Sequence, residues 1–280
     1  MMLDQTHLHF YQDNGYVVVP GLFSPQEVDH YRDHYMLLRQ TPHPGDDTGI
    51  VTDLADPIKR YPRMIKPHLW DDLSLRWMLE PRINACLTGL LGNEPYAAQT
   101  MVYFKPPGAR GQALHQDNYY LRVAPGTCMA AWMALDDCDE ANGCMQIVPG
   151  SHLWSILCTQ AADTRISFTS VTVPLPPGES SRPVLMKAGD VLFFNGSIVH
   201  GSYPNTTTDR FRRALIGHYV DGTAQQVSKG YQPLLRMDGT PFVLAASEIE
   251  GSTCGVWVER DGASVIEQKG QELKVRRRGE

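Results

Sequence analysis

Leu114-His115-Gln116-Asp117-Asn118 is the stretch on which the reading of this chain turns. Its surroundings carry the pattern of a strand. His115 and Asp117 are separated by one position, so on a strand both side chains leave the same face. An imidazole and a carboxylate on one face can each give a metal a ligand. A third can come from His200, where Gly189-Asp190-Val191-Leu192-Phe193-Phe194-Asn195 leads on into His200-Gly201-Ser202. Two histidines and one carboxylate, with no thiolate, make the ligand set of a non-haem Fe(II) centre with open positions. Alone, His-x-Asp arises by chance and is more often a surface or capping feature than a ligand pair. Its company decides.

Outward from this stretch the pattern is one of short strands. They fall at residues 96–105, broken by Pro106-Pro107-Gly108, then around His115, and at 129–135, 145–148, 170–175, 191–195 and 212–220. Gly, Pro or Asn stands at the breaks. Upstream the chain reads as helical. Residues 4–14 form a helix stopped at Gly15, and Tyr16-Val17-Val18-Val19 a strand. Ser24-Pro25-Gln26-Glu27 is a capping box opening a helix with Val28, Tyr31, Tyr35 and Leu38 on one stripe. Residues 41–72 hold mixed polarity and several prolines, and read as an irregular functional loop or lid. Pro81 starts a further helix that carries Ile83, Leu87, Leu90 and Leu91 to Gly92.

Strands in succession after N-terminal helices predict a mainly β fold with α. The expected architecture is a double-stranded β-helix, a cupin-like jelly roll, with the N-terminal helices packed outside. One domain over 1–280 is the simplest organisation: a helical part at 1–95, the jelly-roll core at 96–220 and a C-terminal extension at 221–280. In that extension Phe242-Val243-Leu244 and Val256-Trp257-Val258 read as short strands of a peripheral hairpin, a lid or an oligomer contact.

A chain of 280 residues can bury a sizeable core. Its formal net charge of −6 argues against a general nucleic-acid footprint. The basic run Lys274-Val275-Arg276-Arg277-Arg278 reads as a solvated chain end. No apolar run approaches the roughly 20 residues needed to span a bilayer. The first sixteen residues lack the apolar core of a secretion signal. Cys86, Cys128, Cys138, Cys144, Cys158 and Cys254 show no paired metal-binding spacing. They are expected to be reduced thiols in a cytoplasmic protein. The partner implied is a small molecule, not nucleic acid or membrane, with room for a homo-oligomer.

Parity on the last core strand adds an anion site. Arg212, Ala214, Ile216 and His218 share one face; Arg213, Leu215, Gly217 and Tyr219 share the other. A guanidinium turned inward among apolar residues is costly unless it meets an anion. Arg212 could therefore hold a carboxylate near the metal. The plainer alternative leaves Arg212 at the surface, with Arg213 or Arg210 paired to Asp209. His152 is expected to fix a turn, and His218 to be a satisfied core histidine. Asn142-Gly143 is a turn signal. Tyr119 or Tyr120 can reach the substrate, although an aromatic there more often packs.

With these residues in place, the chain resembles the phytanoyl-CoA dioxygenase (PhyH) family of Fe(II)/2-oxoglutarate-dependent oxygenases. The resemblance rests on eight stretches in the family's order. They are the run from Phe10-Tyr11-Gln12-Asp13-Asn14-Gly15-Tyr16 through Pro20-Gly21-Leu22-Phe23, Lys105-Pro106-Pro107-Gly108, His115-Gln116-Asp117, Trp132-Met133-Ala134-Leu135-Asp136, Asn142-Gly143-Cys144 with Pro149-Gly150-Ser151-His152, Gly189-Asp190-Val191-Leu192-Phe193-Phe194, His200-Gly201-Ser202, and Phe211-Arg212-Arg213-Ala214. It covers residues 10 to about 220.

The resemblance implies that His115, Asp117 and His200 are the iron triad and the catalytic centre. It implies that Arg212 salt-bridges the distal carboxylate of 2-oxoglutarate, with Arg213 as the neighbouring alternative. Ser202 and Trp132 line the same co-substrate site, and Gln99 and Lys66 fall where relatives place co-substrate or substrate contacts. The implied activity is that of a metal-binding oxidoreductase, a dioxygenase that uses O2 and releases succinate and CO2. A small residue stands at the place of Asp117 in halogenases of the family, so the carboxylate here implies a hydroxylase. Desaturation, epimerisation and ring formation are open to the same chemistry. Two other classes compete: a jelly-roll metal-binding or regulatory module without oxygenase activity, and a zinc hydrolase on the same ligands. The modest acidic charge points away from a CoA thioester and toward a small polar or secondary-metabolism substrate. Specificity is expected in residues 41–72 and 161–181 and in the C-terminal segment.

Overall fold

The strand Cys128–Ala134 is buried at every position, and its alternation explains the layers around it. Met129, Ala131 and Met133 pack in one apolar cluster with helix residues such as Val28, Tyr35, Trp77 and Leu87. Ala130, Trp132 and Ala134 pack in a second, with Met145, Ile147 and Ile198. A strand that is apolar on both faces belongs in the middle of a sheet covered on both sides. The computed structural model, which describes residues 3–49, 55–247, 254–260 and 263–269, places it there. Its neighbours are Val191–Asn195 and Ala214–Val220, both antiparallel.

Among the described residues the larger sheet has nine strands. Its main path runs Tyr16–Val19, Val191–Asn195, Cys128–Ala134, Ala214–Val220, Tyr96–Tyr103, Leu234–Leu235 and Pro241–Phe242. Arg63–Ile65 pairs with Tyr96–Tyr103, and Asp46–Asp47 pairs with Arg63–Ile65. A four-stranded sheet has the order Arg182–Val184, Met145–Ile147, His200–Ser202, Gln112–His115. Residues of both sheets meet in the second cluster, and the helices cover the other side of the larger sheet. This is the double-stranded β-helix that the strand pattern predicts, with helices outside it.

The helices begin and end where their sequence signals lie. Asp4 caps Gln5–Asn14, and Gly15 ends it at φ 80°. Ser24 and Glu27 form the capping box of Pro25–Leu38. Pro81–Leu91 stops at Gly92. No helix of the described residues is long and apolar enough to cross a membrane.

Several expectations are corrected. The strand carrying His115 ends at that residue, and Asp117 has helical backbone angles (φ −63°, ψ −36°) before the short helix Asn118–Leu121. The chain turns because the Asn118 amide donates to the Gly196 carbonyl at 2.8 Å and the Gln116 side chain is tied to Ser197 and Leu157. Strand parity is therefore not what brings Asp117 to His115. The last core strand starts at Ala214, two residues after Arg212. Residues 41–72 are less irregular than expected, since Arg63–Ile65 joins the larger sheet. The helix Asp72–Met78 follows.

Cys158 and Cys254 form a disulfide, not two thiols. The bond ties the antiparallel hairpin Cys254–Arg260 and Ala263–Lys269 to the body, where Trp257 packs with Leu157, Val173 and Val199. No C-x-x-C spacing announces such a pair, because it closes a separation of 96 residues. The other four cysteines are free and buried. The basic run 274–278 lies outside the described residues.

His68 gives the fold a pH dependence. It is buried in the 3₁₀ turn Pro67–Leu69, where its Nδ1 accepts from the Thr100 amide at 3.3 Å. Burial, aided by the charge of Lys66, lowers its pKa from 6.5 to about 4. The unfolded chain takes up this proton first, so the stability is complete above pH 6.5 and is lost as pH falls toward about 4. Over that window the group is expected to remove about 3 kcal/mol. His68→Asn, whose carbonyl oxygen can replace Nδ1 as acceptor, should lose less. Denaturant melts of both proteins above and below the window check this; parallel losses would refute it.

Candidate metal centre and active-site cavity

His115 and His200 are direct register partners on adjacent antiparallel strands. Their rings therefore stand side by side, with centroids 4.2 Å apart. The strands approach closely because residue 201 is glycine: a Cβ there would lie 2.6 Å from the Gln112 carbonyl oxygen. The turn after His115 then swings Asp117 beneath the two rings. Its Oδ1 lies 3.5 Å from His115 Nε2 and 3.7 Å from His200 Nε2. One donor atom from each residue fits within 4.8 Å of the others. Ligands about 2 Å from a common ion are spaced about 3 Å apart, so a slight contraction would complete the centre.

Tautomers agree with that use. His115 Nδ1 donates to the Ala113 carbonyl at 2.9 Å, and His200 Nδ1 to the Ile198 carbonyl at 3.1 Å. Each Nδ1 thus carries the proton, and each Nε2 turns a lone pair toward Asp117. Burial lowers the His200 pKa to about 4, which keeps that ring neutral. Burial alone would raise the Asp117 carboxyl, but the surrounding imidazoles, with His218 donating to Oδ2, hold it below the usual range. Two neutral imidazoles and one carboxylate are the protonation states that a divalent cation needs. The donor set and its orientation fit an iron ion.

The triad opens on a cavity of about 440 Å³. Arg212, Trp132, Ser202, Met145 and Ile216 line it, as do Gln99 and His218. Arg212 is only 2% exposed, so the surface alternative fails. Its Nε donates to the Gly143 carbonyl at 2.9 Å, and its guanidinium carbon lies 5.2 Å from the Trp132 ring centre. Burial pulls its pKa down. Among the described residues no carboxylate pairs with it. Arg213 instead makes a two-pronged pair with Asp136 at 2.8 and 2.7 Å, and Arg210 pairs with Asp139 rather than Asp209. The inward face read from parity is thus the observed one, although Arg212 precedes the strand.

Lys105 does not line the cavity but supports its wall through Ser202, a role the sequence reading lacks. It is buried beside Arg212, and its Nζ donates to Ser202 Oγ at 2.7 Å and to the Tyr203 carbonyl. Burial and the Arg212 charge push its pKa well down. Ser202 Oγ also accepts from the Gln112 amide at 3.2 Å. With two donors already on its oxygen, the serine hydroxyl has its own proton to give elsewhere. The signal was there: a lysine at the end of an apolar strand, before Pro106-Pro107.

Lys66 is not among the cavity-lining residues; its ammonium donates to the Gly230 carbonyl and sits 5.7 Å from the Tyr231 ring centre. Tyr231 itself lines the cavity, as do Asp47, Arg63, Tyr103, Tyr120 and Thr169. Residues 41–72, 161–181 and the C-terminal extension thus each reach the wall. His152 meets the Gln12 carbonyl at 3.1 Å and stays away from the centre.

A double-stranded β-helix that gathers two histidines and an aspartate at a buried arginine defines a jelly-roll protein with a metal-centre cavity. Residues 11–214 match the family model Phytanoyl-CoA dioxygenase (PhyH), and the chain belongs to that family. It is 30% identical over 166 residues to Phytanoyl-CoA dioxygenase 1 of Oryza sativa subsp. japonica, covering 58% of each chain. It is 24% identical over 233 residues to the peroxisomal Phytanoyl-CoA dioxygenase of Rattus norvegicus, covering 78% of this chain and 69% of that one. Among solved structures it is similar to the epimerase SnoN in complex with Fe3+, alpha ketoglutarate and nogalamycin RO. That likeness has TM-score 0.65 and 26% identity, over 79% of this chain and 84% of SnoN. The chain thus spans little more than half the rice relative's length.

Proposed function

We propose that this chain is a non-haem Fe(II)- and 2-oxoglutarate-dependent dioxygenase, folded as a single domain, that hydroxylates an unactivated C–H bond of a small-molecule metabolite. The observation that carries the reading is the pairing, in one cavity, of the His115, Asp117 and His200 donors with a buried arginine that has no acidic partner among the described residues. Either feature alone fits a metal-binding module or a zinc hydrolase. Together they fit a dicarboxylate held at an iron centre.

His115 and His200 would hold iron through Nε2 and Asp117 through Oδ1. Iron with bound co-substrate supplies the activation of O2, coupled to decarboxylation of 2-oxoglutarate to succinate and CO2. Arg212 takes the distal carboxylate with its two terminal nitrogens, and the Ser202 hydroxyl, oriented by Lys105 and the Gln112 amide, donates to the same group. Trp132 forms the wall beneath the guanidinium. Gln99 lines the cavity but spends its amide on His218, and we assign neither it nor Lys66 to the co-substrate. Tyr103, Tyr120 and Tyr231 line the same cavity and offer the substrate an aromatic wall. Hydroxylation is preferred over halogenation because Asp117 supplies a carboxylate where halogenases of the family carry a small residue; epimerisation, the chemistry named for SnoN, is open to the same centre. A cavity of about 440 Å³ suits a small-molecule metabolite.

We place the protein in the cytoplasm. The Cys158–Cys254 bond, uncommon in that compartment, argues the other way, and subcellular fractionation of intact cells tests the placement.

The functional test is anaerobic titration of the metal-free protein with Fe(II) and 2-oxoglutarate, followed by the visible charge-transfer band. The wild type is expected to develop the band and His115→Ala to lack it. Iron binding without a band would discard the oxygenase reading and favour the module or hydrolase alternatives.

A further inference from the structure

We infer that His218 is a positioning residue for the metal-binding carboxylate: backed by Gln99, it occupies the second oxygen of Asp117 and keeps that residue a one-oxygen ligand. The inference rests on the metal-centre reading of His115, Asp117 and His200.

Gln99 and His218 are direct register partners on the adjacent strands Tyr96–Tyr103 and Ala214–Val220. Gln99 Nε2 lies 3.1 Å from His218 Nδ1, and His218 Nε2 lies 3.1 Å from Asp117 Oδ2. An amide nitrogen can only donate, so Nδ1 accepts, the ring proton sits on Nε2, and Nε2–H donates to Oδ2. In the opposite amide orientation, too, a proton on Nε2 would serve the carboxylate, with Nδ1 donating to the amide oxygen. All three residues are at most 7% exposed, so water does not compete for these bonds.

The two oxygens of Asp117 are therefore divided. Oδ1 faces the Nε2 atoms of His115 and His200, and Oδ2 is spent on His218. A facial triad of single-atom ligands leaves about three positions open on a six-coordinate ion. A keto acid takes two and leaves one for oxygen. A carboxylate binding through both oxygens would fill that last position. His218 prevents this by holding Oδ2 off the metal. A histidine retained only to fill the core would not need a donor on one side and an acceptor on the other, and a buried polar chain of this kind is costly unless every member is satisfied.

Mn(II) is the probe, added to metal-free protein without co-substrate. Titration gives occupancy, and water-proton relaxivity gives the number of coordinated waters. His218→Leu is expected to bind Mn(II) with a count falling from about three to about two. His218→Gln, whose amide can reach Oδ2, should restore the wild-type count, which a merely structural role would not do. Gln99→Leu leaves the ring in place but frees its tautomer, and should give an intermediate relaxivity. It decides the matter if His218→Leu does not fold. Unchanged hydration in Gln99→Leu and in any folded His218→Leu would overturn the inference. His115→Ala separates the two levels: if it still binds Mn(II) like wild type, the metal-centre reading falls, and this inference with it.

Discussion

Arg212→Met is expected to melt higher than wild type in the absence of small molecules, yet to bind 2-oxoglutarate at least about thirtyfold more weakly. The two effects have one cause. The Arg212 guanidinium is removed from water, bonded through Nε to the Gly143 carbonyl, and paired with no carboxylate of the described residues. Lys105 places a second buried amine beside it. Burying charge without a counter-ion is unfavourable, and apolar replacements of buried ionic groups often stabilise by about 1–4 kcal/mol. Met has similar length and can lie against Trp132. Removing one partner of a buried charged pair costs about 2–5 kcal/mol of binding, the basis of the affinity estimate. Thermal melts with and without 2-oxoglutarate read both effects. Wild type should gain stability with ligand concentration and Arg212→Met should stay flat. Arg213→Met is the control, since Arg213 is paired with Asp136; it should lower the melting temperature and leave co-substrate binding intact. The reverse pattern would assign the anion site to Arg213.

The fold was legible because the strands carry local signals. Tyr16–Val19 occupies the residues that its β-branched run marks, and the Ser24 capping box starts the helix that it announces. Parity placed Arg212, Ile216 and His218 on the cavity side because a period of two survives a shift in where the strand begins. What escaped was set by distant partners. Asp117 leaves the strand because Gly196 and Ser197, on another strand connection, capture the Asn118 amide and the Gln116 side chain. The Cys158–Cys254 bond depends on where the C-terminal hairpin docks. Tyr231 reaches the cavity from a segment with no motif, and Lys105 turns inward only because Ser202 and Tyr203 offer it oxygen atoms. His218 was correctly expected to be satisfied. Its partner, the Asp117 carboxylate, is what the strand pattern does not contain.

Asp117→Ala and Asp117→Asn are expected to lose Fe(II) affinity to a similar extent, on the order of a thousandfold or more, and to show no turnover above background. Loss of a residue that only orients a ligand typically costs about 10–100-fold in metal affinity, so loss of the charged ligand itself should cost more. Alanine leaves two neutral imidazoles, which hold a hard divalent cation poorly. Asparagine keeps the shape, and its failure is the more informative result. The Nε2–H of His218 points at Oδ2 and requires an acceptor there. The asparagine carbonyl must therefore turn to His218, which presents the NH2 group, a donor without a usable lone pair, to His115, His200 and the metal. Turning the amide over would set two donors against each other in a buried site. Calorimetric titration of both variants with Fe(II) under anaerobic conditions measures the effect, with circular dichroism confirming the fold. Near-wild-type affinity in Asp117→Asn would mean that the ion draws its third ligand from elsewhere in the cavity, and the assignment of the triad would fall.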